Sequence, residues 1–106
     1  MPGGYDHNWM LRQSSGLHQA AIAYDLASGR TLEVTTDQPG TRFYAGNFLD
    51  GSLVKRGGIV YGKHAGFCLE TQHFPDSPNL PAFLSIMLRA GETFRSRSRY
   101  AFGARP

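Results

Sequence analysis

The chain has 106 residues, which allow one domain at most, and it carries 41% hydrophobic and 18% charged residues with a net charge of +3. These values are typical of a globular protein rather than of a disordered tail. From its length, we expect one unit over residues 1–106. No apolar run approaches the roughly 18–20 residues needed to cross a bilayer, so we expect no membrane partner.

A β-hairpin is predicted near the start of the chain. Residues 18–25 are largely apolar, and within residues 30–36 the side chains of Leu32 and Val34 alternate with polar ones. The Ser-Gly pair between the two segments supplies a turn. The 13 glycines and 6 prolines separate short apolar runs along the whole chain, which favours strands and turns over helices.

The middle of the chain combines short strands with a long loop. Residues 37–40 (DQPG) predict a turn, and residues 41–45 predict a short aromatic strand. Residues 46–65 are rich in glycine and charge, and loops of this length in compact proteins are often functional. Residues 66–72 predict an apolar, largely buried strand that contains Glu70.

The last third of the chain is less regular. Residues 74–81 contain three prolines and predict a fixed loop, whereas the apolar residues 83–89 fit either a short helix or a strand. Residues 93–102 predict a final strand. Taken together, these elements predict an all-β, sandwich-like domain of antiparallel strands with long loops.

Three arginines occupy alternate positions of that final strand, at Arg95, Arg97 and Arg99. Alternate residues of a strand share one face, so the three side chains could form a phosphate-binding stripe. No aromatic side chain for stacking on bases shares their face. We therefore predict a solvated outer face and no nucleic-acid partner.

Glu70 is the first candidate for chemistry. A carboxylate buried in an apolar strand has to be paired or hydrogen-bonded, and burial raises the pKa of a carboxyl group. Such a group suits a general base that works near neutral pH. The alternative is a glutamate on the wet face of a half-buried strand.

A second candidate is the polar cluster of Asp6 and His7, which lies among aromatic side chains within residues 4–9 (GYDHNW). Aromatic rings stack on the carbon face of a sugar while a carboxylate accepts hydrogen bonds from its hydroxyls. A turn or capping role for Asp6 and Asn8 explains the same residues and stays open.

Metal and disulfide chemistry have little support in the sequence. The histidines are scattered and lack the spacing of a metal site, so no metal is predicted. The lone Cys68 cannot form an internal disulfide, and the first residues lack the basic and apolar regions of a secretory signal. Both observations favour a reducing compartment, and we expect a cytoplasmic protein.

Five segments, in this order and at this spacing, resemble the aldose 1-epimerase family. They are residues 4–9 (GYDHNW), 28–34 (SGRTLEV), 43–51 (FYAGNFLDG), 66–76 (GFCLETQHFPD) and 88–93 (LRAGET). The resemblance implies part of a β-supersandwich that binds a free aldohexose, such as galactose or glucose, and interconverts its α and β anomers without a cofactor.

The resemblance also implies roles for three residues. Glu70 matches the base that takes the proton from the C1 hydroxyl, and Asp6 matches an aspartate that binds sugar hydroxyls. Arg42 stands where many members have a glutamine that contacts the sugar. A guanidinium donates hydrogen bonds but cannot accept them, so the contact at this position differs.

The family's acid histidine belongs to its N-terminal two thirds, and no histidine here stands in that sequence context. The resemblance thus implies the C-terminal third of an epimerase in a truncated or incomplete form. Its partner would be the missing N-terminal portion or a second copy of itself. The alternative is a non-catalytic carbohydrate-binding or structural β-sandwich module.

Overall fold

Six strands form two three-stranded antiparallel sheets in the computed structural model, which describes residues 3–12 and 15–106. The strands are β1 (Asp6–Met10), β2 (His18–Tyr24), β3 (Arg30–Thr36), β4 (Gly40–Tyr44), β5 (Cys68–Gln72) and β6 (Ser98–Ala104), and a 3-10 helix covers Ser77–Asn79. The predicted all-β class is confirmed. Within the described ranges, no helix is long and apolar enough to span a membrane. Met1 and Pro2, which entered the argument about a secretory signal, lie outside them.

The first sheet has the strand order β1-β4-β5. β4 lies in its centre and pairs with both neighbours over all five of its residues. β1 was not predicted as a strand. Its residues alternate between polar and aromatic side chains, which suits a strand with one wet face and one apolar face.

The second sheet has the order β2-β3-β6 and contains the predicted hairpin. The turn between β2 and β3 closes through a hydrogen bond from the Gly29 amide to the Asp25 carbonyl at 2.8 Å. Gly29 has φ of 73°, a left-handed conformation that glycine adopts without steric cost. The predicted turn at residues 37–40 is also present and leads from β3 into β4.

The two sheets are joined along β5 and β6. The Thr71 and Ser98 hydroxyls are 2.7 Å apart, and the Tyr100 hydroxyl donates to the Leu69 carbonyl at 2.9 Å. Away from this seam, an apolar cleft of about 500 Å³ opens between the sheets. Val34 is the only hydrophobic side chain buried in the described ranges, so the core is thin.

Three predicted elements differ from the observed ones. The segment around Glu70 is not buried: Glu70 and Cys68 are exposed, because β5 is an edge strand with solvent on one face and the open cleft on the other. The final strand begins at Ser98 rather than at residue 93, because its partner β3 ends at Thr36. Residues 83–89 form neither a helix nor a strand.

Candidate functional site

The outer face of the first sheet is polar along all three strands. Strand alternation and register place the side chains of one set of residues on this face, which we call the polar face. Its members are Asp6, Asn8, Arg42, Glu70 and Gln72. The opposite face carries Trp9, Phe43 and Leu69 and lines the apolar cleft. The sheet therefore separates a hydrogen-bonding surface from an apolar one.

Asp6 and Arg42 form an ion pair on the polar face. Arg42 Nε donates to Asp6 Oδ1 at 2.7 Å, and each side chain is about one third exposed, at 35% and 30%. The hydrogen bond from Arg42 lowers the pKa of Asp6 below its usual value, and the positive charges of Arg42 and His7 add to the effect. The same bond and the negative charge of Asp6 raise the pKa of Arg42. Both groups are therefore charged at neutral pH.

Glu70 is the direct cross-strand partner of Arg42 in β5. Its negative charge also contributes to the raised pKa of Arg42, although less than Asp6 does. The three residues implicated by the sequence thus lie side by side across three adjacent strands. Glu70 was expected to be buried, but its side chain is exposed because β5 is an edge strand.

The arrangement can do two things chemically. An exposed carboxylate at Glu70 can accept a proton from a hydroxyl placed over the sheet. Asp6 keeps acceptor capacity beyond its bond to Arg42, and the terminal amino groups of Arg42 can donate to hydroxyl oxygens. One polyol could therefore contact all three side chains at once.

Sequence reasoning missed two residues that extend the polar face. Gln72 Nε2 donates to Asn8 Oδ1 at 3.3 Å. Asn8 is the direct partner of Arg42 in β1, and Gln72 lies beyond Glu70 on the same face. The available signal was their position in the sequence, because Asn8 follows Asp6 by two positions and Gln72 follows Glu70 by two. Residues i and i+2 of a strand share a face.

Three of the four histidines lie away from the polar face. His7 is paired with Phe43 on the cleft side of the first sheet, and His18 belongs to β2 in the second sheet. His64 lies at the end of the long loop with its Nε2 3.1 Å from Asn47 Oδ1. Within residues 3–12 and 15–106, no three acidic, histidine or cysteine side chains cluster as metal ligands. The predicted absence of a metal stays a prediction.

The sequence comparisons identify the family. Residues 1–101 match the family model described as aldose 1-epimerase. The chain belongs to the aldose 1-epimerase family. Among individual relatives of that family, the chain is 50% identical to human galactose mutarotase over 99 residues and 37% identical to the aldose 1-epimerase of Escherichia coli over 102 residues.

Both alignments cover 93% of this chain and 29% of the relative. The chain thus spans less than a third of the length of the epimerases it matches. All three residues that the resemblance implicates fall inside the matched range, because Asp6, Arg42 and Glu70 lie between residues 1 and 101.

Proposed function

We propose that this chain supplies the base and a sugar-binding ion pair of an aldose 1-epimerase that interconverts the anomers of free aldohexoses such as galactose and glucose. The observation that carries the proposal is the alignment of Asp6, Arg42 and Glu70 on one exposed polar face. The similarity to human galactose mutarotase and to the aldose 1-epimerase of Escherichia coli supports the same activity.

In the proposed reaction, the Glu70 carboxylate takes the proton of the C1 hydroxyl. The bond between C1 and the ring oxygen breaks, and its electron pair goes to the ring oxygen, which receives a proton from an acid. Rotation about the C1–C2 bond and closure by the reverse steps give the other anomer. Asp6 and Arg42 hold sugar hydroxyls throughout, and no cofactor takes part.

The acid has to come from outside the polar face, because its strand positions in the described ranges include no histidine. We assign this chain to the C-terminal third of the family's sandwich, with the remaining two thirds, or a second copy, as the source of the acid. The single cysteine, Cys68, is an exposed free thiol, which supports a reducing cytoplasmic location.

The decisive experiment mixes the chain with a separately produced polypeptide that corresponds to the part of human galactose mutarotase outside the matched 99 residues. Optical rotation of fresh α-D-galactose then reports anomerisation above the spontaneous rate. We expect activity from the mixture, and a loss of about 100-fold or more with Glu70→Gln, as for removal of a general base.

The matched control is Glu33→Gln, on the outer face of the second sheet, which should retain parental activity. A mixture that binds together but never accelerates mutarotation would overturn the proposal. The Asp6–Arg42 pair by itself would suit a carbohydrate-binding module without catalysis. That alternative predicts galactose binding that survives Glu70→Gln, with no anomerisation by either form.

A further inference from the structure

The two ends of the long loop at residues 46–65 meet beside Asp6. Asn47 is only 7% exposed, and its Nδ2 donates to the main-chain carbonyl of Tyr5 at 3.0 Å. The same carbonyl accepts the Ala45 amide at 2.9 Å. Because Tyr5 immediately precedes Asp6, these two bonds fix the main chain from which the Asp6 side chain projects.

The orientation of the Asn47 amide follows from its partners. A main-chain carbonyl only accepts, so the amide nitrogen faces Tyr5 and the amide oxygen faces His64. His64 Nε2, at 3.1 Å from that oxygen, must therefore carry a hydrogen and donate it. The result is a directed series of hydrogen bonds from His64 to Asn47 and from Asn47 to Tyr5.

The loop also holds the residue opposite Asp6. Tyr44 is the cross-strand partner of Asp6, and its hydroxyl accepts the Phe48 amide at 3.0 Å. The consecutive loop residues Asn47 and Phe48 thus bond to the two neighbours of Asp6. These are Tyr5, which precedes it in the chain, and Tyr44, which lies opposite it in β4.

His64 is held in a costly backbone conformation. Its φ is 63°, in the left-handed region that non-glycine residues rarely adopt, and its amide donates to the Gly46 carbonyl at 3.1 Å. Such a conformation persists where the surrounding contacts determine it strongly. Here two hydrogen bonds hold the residue in place, one from the imidazole to Asn47 and one from the main-chain N–H to the Gly46 carbonyl.

We propose that Asn47 and His64 are positioning residues that fix the Tyr5 main chain so that the Asp6 carboxylate meets the Arg42 guanidinium. The inference deepens the proposed function, since it concerns the ion pair assigned there to sugar binding. Neither side chain is assigned a contact with sugar, and their effect passes through Tyr5 and Asp6.

The test uses the full chain labelled for NMR, without sugar. The readouts are solvent exchange of the Arg42 Nε–H proton and the titration midpoint of the Asp6 carboxyl carbon. With His64→Ala, Asn47 loses its donor, and we expect several-fold faster exchange at Arg42 and an upward shift of the Asp6 midpoint. His64→Gln keeps an N–H donor on a side chain of similar reach, so both readouts should return close to the parental values.

Two further variants sharpen the result. Asn47→Asp keeps an oxygen for His64 but places an acceptor against the Tyr5 carbonyl, so it should produce the larger change. Asn79→Ala removes an exposed amide that bonds to Asp76 beside the 3-10 helix, and it should change neither readout. Unchanged second-sheet resonances confirm that each variant is folded.

Parental readouts in folded His64→Ala would overturn the inference, as would equal effects of the alanine and glutamine variants. If Asn47→Asp does not fold, the two His64 variants still decide the matter. Because neither readout needs sugar, a failure of galactose to react in the reconstituted mixture counts against the proposed function alone.

Discussion

Arg42 and Glu70 face each other directly across β4 and β5, yet the Nε of Arg42 bonds to Asp6 on the other side. The guanidinium is thus shared unequally between two carboxylates. Asp6 accepts the hydrogen bond of Arg42 Nε, whereas the Glu70 side chain is exposed. The proposed function assigns sugar binding to Asp6 and the role of base to Glu70.

Replacing Arg42 with glutamine should make the stability of the chain less dependent on acid pH. Arg42 lowers the pKa of folded Asp6 below the usual 3.8, so the pair contributes stability that is present above that value and lost as pH falls through the lower folded value. The difference in thermal midpoint between the parent and Arg42→Gln should therefore be largest near neutral pH and shrink below pH 3.8. Circular dichroism melts across this range measure it.

Arg95→Gln is the control for that series, because Arg95 lies outside the strands on an exposed segment. Its melting difference from the parent should stay small at every pH. A difference for Arg42→Gln that is independent of pH would contradict the assigned ion pair.

Asp6→Asn should weaken sugar binding more than it slows the reaction. The amide can still accept a hydrogen bond, but it loses the negative charge that strengthens bonds to Arg42 and to hydroxyls. In the reconstituted mixture we expect KM for galactose to rise about tenfold with kcat little changed, as for loss of a charge-assisted hydrogen bond. Asp76→Asn, beside the 3-10 helix, is the control. A fall in kcat at constant KM would instead assign Asp6 to the chemical step.

Ser98→Ala should weaken the connection between the sheets. The Ser98 hydroxyl lies 2.7 Å from that of Thr71 and 2.8 Å from that of the fully buried Thr36. Thr36 keeps its bonds with the Arg97 carbonyl and the Gln38 amide, whereas the part-buried Thr71 hydroxyl loses its bond to Ser98. The free energy of unfolding should therefore fall by about 1 kcal/mol. Urea titration measures this, and the exposed Ser85→Ala should change it by less than about 0.5 kcal/mol. Equal effects of the two variants would show that the hydroxyl contacts do not join the sheets.

Gly29→Ala should be costlier than Gly58→Ala, although both glycines have positive φ, at 73° and 79°. A Cβ on Gly58 meets nothing within 4 Å, so only the backbone strain of about 1–2 kcal/mol applies. A Cβ on Gly29 would also collide with the carbonyl oxygen of Arg105. The two residues are close because the Arg105 amide donates to the Gly29 carbonyl at 2.7 Å. Thermal melts of the two variants should differ clearly, and identical midpoints would contradict the close approach of the chain after β6.

Local features of the fold were predictable, and those that depend on distant partners were not. The hairpin of β2 and β3 follows from alternation and a glycine turn within residues 18–36, and the structure confirms it. The burial of Glu70 was predicted wrongly, because apolar neighbours in sequence do not reveal that β5 is an edge strand. The bond between Asp6 and Arg42 spans 36 positions, and only the register of β1 against β4 brings them together.

The candidate site shows the same division. Family resemblance indicated Asp6, Arg42 and Glu70, and the structure places them on one face, while their catalytic and binding roles stay predictions. Asn47 carried no chemical signal of its own in the sequence. Its position becomes informative only when the fold brings it to the Tyr5 carbonyl.

The two sheets are held together at the seam between β5 and β6, so a change of angle there displaces distant strands most. β1 lies two strand spacings from β5, roughly 10 Å away, so a rotation of about 10° at the seam would move Trp9 by nearly 2 Å. A small change of angle at the seam is therefore enlarged at the far side of the cleft, where Trp9 and Ile22 lie.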